Sequence, residues 1–210
     1  MRKKKTLILT CIVTCTWLST LLALSTPLKN TEVNRIEEKT NDSIVVATTV
    51  VEKVSKIQAE KESIKNELIS EVEKYVYRNF PRAHKTIPRS IVWHGLENEI
   101  DIVFMMAQTQ IETGFGTLGA GRETSRRSLF GVAVRKYSTY EKAIADYVAL
   151  LKKSYLTKGR TEQHLMRKYT TTRGGRYAGN PNYEVELRGT YSKINSKTKI
   201  KQLQLKYKQS

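Results

Sequence analysis

One stretch constrains what this chain can fold into more than any other. In DIVFMMAQTQIETGFG, residues 101–116, Asp101 is a good helix N-cap, and Val103, Phe104, Ala107 and Ile111 recur at helical spacing. The segment therefore predicts a mostly buried helix, which Gly114 and Gly116 stop. Glu112 falls in its last turn, where the negative end of the macrodipole and partial burial both disfavour the ionised carboxylate and raise its pKa. A carboxylic acid that keeps its proton near neutral pH can protonate a glycosidic oxygen, and the glycines after it let a substrate chain approach closely. The plainer reading, an ordinary solvated glutamate at a helix end, fits the same position, because perturbed acids mark functional sites only statistically.

Around this helix the pattern is mainly helical. Pro88 suits a first helical position, and Ile91, Val92 and Leu96 supply an apolar face for a helix over residues 88–98 that forms a hairpin with the Asp101 helix. The segment from Gly114 to Arg127 has the Gly, Thr, Ser and Arg composition of a substrate-lining loop. Ser138 and Glu141 read as an S-x-x-E capping box, followed by a helix that buries Ile144, Tyr147, Val148 and Leu151. A short helix is expected near Thr161 to Tyr169, then a basic, glycine-interrupted loop from Thr170 to Gly179. Asn180 as N-cap and Pro181 in the first turn open a last helix with Tyr183, Leu187, Tyr191 and Ile194 on one side. Beyond it the lysine-rich tail reads as a solvated extension.

The N-terminal part has a different character. Arg2, Lys3, Lys4 and Lys5 precede an uncharged run from Thr6 to Ser25, long enough to cross a bilayer. By the positive-inside rule the basic end stays cytoplasmic and the remainder is exported. The length favours an uncleaved anchor in the cytoplasmic membrane, while Ala23-Leu24-Ser25 leaves open a cleaved signal and secretion. Both cysteines, Cys11 and Cys15, lie in this run, so the globular part has no thiol for a disulfide or a thiolate metal site. Lys29 to Asp42 reads as a polar linker and Ile44 to Val51 as strand-like. From Val54 to about Asn79, Ile57, Ile64, Leu68 and Val72 mark an amphipathic helix. The expected organisation is a signal or anchor over 1–28, a linker and the start of a stalk helix over 29–65, a catalytic domain over 66–194 and a basic tail over 195–210.

A formal charge of +17 implies attraction to polyanions, among them nucleic acid, anionic lipid and anionic wall polymers. Lysines spread along an exported chain make nucleic acid the weakest of these. His84, His94 and His164 are scattered without ligand spacing, and no phosphate loop or dinucleotide fingerprint appears, so neither metal nor cofactor is expected.

AQTQIETGFGT, then SLFGV, then KYSTYEKAIADYVALL, then RYAGNPNYEVELRGTY resemble, in order, the blocks of the bacterial glucosaminidase domain. That family is glycoside hydrolase family 73, described as mannosyl-glycoprotein endo-β-N-acetylglucosaminidase-like, with autolysins and flagellar-rod muramidases among its members. The similarity covers roughly Pro88 to Ile194. It implies a lysozyme-like α+β fold, here with little or no β-hairpin, acting on peptidoglycan glycan strands. It makes Glu112 the catalytic acid and gives Tyr177 and Tyr183 the role of lining the sugar site and stabilising the reacting centre. It also places Gln108, Phe115, Ser128 and Phe130 along the substrate cleft. Phe115 stands for the family's tryptophan and would offer an aromatic face to a sugar. Ser128 stands for its usual asparagine, and Asn180 for its frequent aspartate.

The common glycosidase scheme needs a second carboxylate. After Glu112 the acids are Glu123, Glu141, Asp146, Glu162, Glu184 and Glu186. The cap accounts for Glu141, and Glu162, Glu184 and Glu186 read as ordinary acids at helix starts or on exposed helical positions. Many family members carry a second glutamate on a hairpin between the NLFGI block and the next helix; Ala133 to Tyr137 fill that gap here without an acid. Two options stand: Glu123 swings in as the base, or the substrate's own acetamido group acts as nucleophile. Three functions compete at this level. They are a hydrolase cleaving after N-acetylglucosamine, a lytic transglycosylase on the same glycan, and a membrane-anchored basic wall-binding protein without chemistry.

Overall fold

A computed structural model describes residues 30–123, 126–130 and 135–210, with side chains from Glu52 onward. The chain divides into two compact units, Met1–Thr49 and Val50–Ser210. Of the first, only the helical backbone from Asn30 is described, so the apolar run from Thr6 to Ser25 and the anchor or signal expected over 1–28 lie outside the described residues. Among the described residues no helix is long and apolar enough to cross a membrane.

The described chain is helical, and it contains no strand, only an isolated bridge between Thr170 and Arg176. Helix α1 spans Asn30–Asn79, α2 Thr86–Glu97, α3 Ile102–Thr113, α4 Gly119–Arg122 and α5 Tyr140–Leu150. A π-helical turn, Leu151–Tyr155, extends α5; α6 spans Glu162–Arg167, α7 Tyr183–Lys197 and α8 Ile200–Gln209. The linker expected over Lys29 to Asp42 and the strand expected over Ile44 to Val51 are thus helical from Asn30 onward. β-Branched residues cost a helix only a few tenths of a kcal/mol each, about what neighbouring good helix formers offset.

The central element of the second unit is α3, buried from Ile102 through Thr109 and again at Thr113. Over that buried stretch the helix has no solvent face, and α2, α4, α7 and α8 pack on it. Its start is fastened from several sides. Asp101 caps it, Oδ1 accepting from the Val103 N–H at 2.9 Å and the Phe104 N–H at 3.2 Å. Oδ2 takes the Tyr191 hydroxyl at 2.8 Å and the Lys201 ammonium. The Asp101 N–H donates to Glu162 and the Ile102 N–H to Gln204 Oε1, while Gln204 Nε2 donates to the Ile100 carbonyl at 2.7 Å.

Those bonds correct the reading of the C-terminal segment. Residues 195–210 are no solvated extension: α8 buries Ile200, Leu203 and Gln204 and supplies the donors and acceptors that close the start of α3. The tail's lysine content hid an apolar stripe at Ile200 and Leu203, three residues apart.

Three helix starts are shifted from their expected positions, the first being that of α2, which begins at Thr86 and not at Pro88. Thr139, not Ser138, caps α5, accepting from the Lys142 N–H at 3.2 Å. This start turns Tyr140 inward, where its hydroxyl reaches the Gly121 carbonyl at 2.9 Å. Asn180 does not cap α7 directly. Its side chain accepts from the Asn182 N–H and its carbonyl from the Tyr183 N–H, so Asn180 and Pro181 form a turn just ahead of the helix.

Candidate active site

At its C-terminal end α3 leaves the helical path through three consecutive left-handed residues, Gly114 (φ 54°), Phe115 (φ 54°) and Gly116 (φ 79°). The Gly114 N–H closes on the Gln110 carbonyl at 3.0 Å. For Phe115 that conformation costs roughly 1 kcal/mol or more. The turn drives its ring wholly into the core, 5.2 Å from Phe80. Phe115 therefore offers no face to a sugar. Nor are the glycines open to a substrate: a Cβ on Gly114 would meet Phe80, Thr117 and Leu118, and one on Gly116 would meet Ile87, Leu129 and Tyr140. They serve the turn and its packing.

Glu112, one residue before the break, opens into a cleft of about 620 Å³. Ile111, Glu112, Phe130, Leu150 and Tyr155 line one part, and Tyr177, Ala178, Gly179, Asn180, Tyr183 and Glu186 another. The π-helical turn helps shape this wall. Its i→i+5 bonding aligns residues five apart, and Leu150 and Tyr155 both line the cleft.

Behind the cleft stands a group of packed aromatic rings. Tyr169 stacks on Tyr177 with centroids 4.3 Å apart, and Phe130 stacks on Tyr147 at 3.7 Å. A chain of hydrogen bonds runs through them to the acid. The Tyr147 and Tyr169 hydroxyls meet at 3.3 Å, Tyr169 donates to Gln108 Oε1 at 3.0 Å, and Gln108 Nε2 donates to the Tyr183 hydroxyl at 3.2 Å. Tyr183 then donates its proton to Glu112 Oε1 at 2.7 Å. Burial pushes the Glu112 carboxyl above the ordinary glutamate value, and the Tyr183 hydrogen bond opposes that rise without cancelling it. Burial likewise raises Tyr169, Tyr177 and Tyr183, so these phenols stay neutral donors across any ordinary working range.

Of the residues expected at the site, the structure brings Glu112, Phe130, Tyr177 and Tyr183 to the cleft. Tyr183 is buried in the core and is also the one bonded to the acid; Tyr177 donates its hydroxyl to the Phe130 carbonyl. Gln108 is fully buried behind the wall, where it orders the tyrosines and touches nothing in the cleft. Ser128 is buried and does not line the cleft, and Gly131 and Val132 of the same block lie outside the described residues. Glu123 is an exposed acid paired with Arg126 at 3.1 Å, also away from the cleft lining. Asp146 is tied to Arg135 and Tyr137; the Tyr137 hydrogen bond is the main reason its carboxyl lies below the ordinary value.

Sequence reasoning missed Tyr155, Tyr169 and Glu186. Glu186 had a local signal, its i,i+3 spacing from Tyr183 on α7, which places the two on one face. A larger groove of about 720 Å³ lies elsewhere, between α1 and α2, with Trp93 at its edge. Its Glu62, Glu73 and Glu141 are set among Lys65, Lys85 and Arg89, so it lacks the buried, cation-free acid found at Glu112. Among the described residues no group of acids, histidines or cysteines has the arrangement of a metal site.

No curated protein and no solved structure matches the chain. A family model described as mannosyl-glycoprotein endo-beta-N-acetylglucosaminidase matches residues 94–196, which contain α3, the aromatic wall and all of α7 but its last residue. By that match this part of the chain belongs to the glucosaminidase family, whose activity is that of a glycoside hydrolase.

Proposed function

We propose that the protein cleaves β-1,4 bonds of peptidoglycan after N-acetylglucosamine, with Glu112 as general acid. The observation that carries this reading is a partly buried carboxyl group that accepts a hydrogen bond from a neutral phenol and lines a tyrosine-rich cleft. Because Oε1 accepts from Tyr183, Oε2 is the oxygen suited to hold the acidic proton. Donation of that proton to the glycosidic oxygen lets the C1–O bond break, its electron pair going to the departing sugar. Tyr155 and Tyr177 supply apolar ring surface for the glycan, and the excess positive charge draws the domain toward anionic wall polymers. This function needs the wall outside the cytoplasm, which agrees with the basic, apolar N-terminus expected to export the chain.

The test is digestion of purified peptidoglycan by the wild type and by Glu112→Gln, with mass spectrometry of the products. The expected result is clearing by the wild type, reducing N-acetylglucosamine ends, and no clearing by the variant. Anhydro-muramic ends would instead assign a lytic transglycosylase. Binding without any cleavage would assign a wall adaptor.

A further inference from the structure

The hydrolytic reading leaves the water-activating group unassigned. Glu123 is directed to Arg126, Asp146 to Arg135 and Tyr137, and Glu184 is buried against Arg176 and the Tyr169 N–H. Among the described residues one carboxylate besides Glu112 lines the cleft, and it is Glu186. It lies on α7 one turn after Tyr183, the residue bonded to Glu112, so a single helix presents both the acid's partner and a second carboxylate to the same space.

Its setting differs from that of the acid. Glu186 is exposed, so water reaches it, and no ion pair within 4.0 Å engages it among the described residues, although Lys and Arg far outnumber Asp and Glu in this chain. One neutral donor holds it: Asn180 Nδ2 reaches Oε1 at 3.2 Å, and Asn180 is itself fixed by accepting from the Asn182 N–H at 2.9 Å. Oε2 is left for a water molecule.

We propose that Glu186 is the second catalytic carboxylate, acting as general base on the attacking water. The proposal rests on Glu112 being the acid. In the step, Glu112 gives its proton to the glycosidic oxygen and the C1–O bond breaks toward that oxygen. The water oxygen bonds to C1 from the opposite face, and the proton it loses goes to Glu186. Glu186 then releases this proton to solvent, and Glu112 takes one back. An exposed base with room for water predicts inversion at C1 and a free reducing end, in contrast to a nucleophile packed close to the acid.

The experiment uses the full chain and purified glycan strands. Glu186→Gln is expected to lower kcat on the order of 10²–10⁴-fold with KM changed by less than about threefold, and to leave the melting temperature unmoved. Glu186→Ala with sodium azide should regain turnover and yield the α-glycosyl azide from the β-linked substrate. NMR of the first products should show the inverted anomer for the wild type. Near-normal turnover by Glu186→Gln while Glu112→Gln is dead, or retention at C1, overturns the role of Glu186 and leaves Glu112 standing. Cleavage that survives Glu112→Gln, or a wild type that cleaves nothing, overturns the acid assignment and this one with it.

Discussion

Helix α3 carries an acid at each end, and the two are used in opposite ways. Asp101 is surrounded by donors: two backbone N–H groups, the Tyr191 hydroxyl and the Lys201 ammonium. Glu112 has one among the described residues, the Tyr183 hydroxyl. Donors stabilise a carboxylate, and their scarcity in a buried place favours the protonated acid. Under the proposed function the same helix is anchored through one carboxyl group and armed through the other, and the difference lies in what the neighbouring helices bring to each end.

The sharpest way to break this contrast is to neutralise both ends. Glu112→Gln should lower glycan cleavage by roughly 10³-fold or more, near the upper range for a general acid, without loss of melting temperature. Asp101→Ala should do the reverse. Loss of a cap and of the partner of a half-exposed lysine should destabilise by roughly 2–3 kcal/mol, read in urea denaturation, while activity per folded molecule is retained. Asp101→Asn keeps a capping oxygen and should cost less than Ala.

The pH dependence sharpens the same contrast. With its pKa raised by burial, Glu112 should keep the enzyme active above the range in which an ordinary glutamate ionises, activity falling as pH rises through the raised value. The stability sign is the same: protonated Glu112 favours the folded state most fully below the ordinary glutamate value, and that contribution is lost as pH rises through the folded-state value. Glu112→Gln should remove this part of the stability profile. Tyr183→Phe takes away the hydrogen bond that lowers the Glu112 pKa, so the alkaline limb of the activity profile should move to higher pH, with turnover reduced about tenfold by lost positioning. The smallest effect belongs to Glu123→Ala, expected within about twofold of wild type in cleavage assays, since its carboxylate meets Arg126 at the surface.

Which of these features the sequence disclosed depends on how local their causes are. The Asp101 cap and the Gly114 stop follow from residues within a few positions of each other, and both were readable. Glu112 was readable as an acid with a raised pKa, although burial, not the helix dipole, is its leading cause. Phe115 looked like a sugar platform because its left-handed backbone, which turns the ring inward, is invisible in a residue string. Gln204 closes the start of α3 from about a hundred residues away, and nothing near either residue announces the bond. Glu186 was set aside as a helix-start acid; its meaning comes from the cleft that α3, the aromatic wall and α7 enclose together.

The hydroxyl and amide chain behind Glu112 has a consequence for ionic strength. Its members, Tyr147, Tyr169, Gln108 and Tyr183, are uncharged, and burial raises the acid's proton affinity against the opposing hydrogen bond of a neutral phenol. Dissolved salt screens charges, so it should loosen the attraction between this cationic exterior and an anionic wall while leaving the acid's tuning in place. Brine would then govern how often the protein meets its polymer, and hardly at all how readily the bond breaks once they have met.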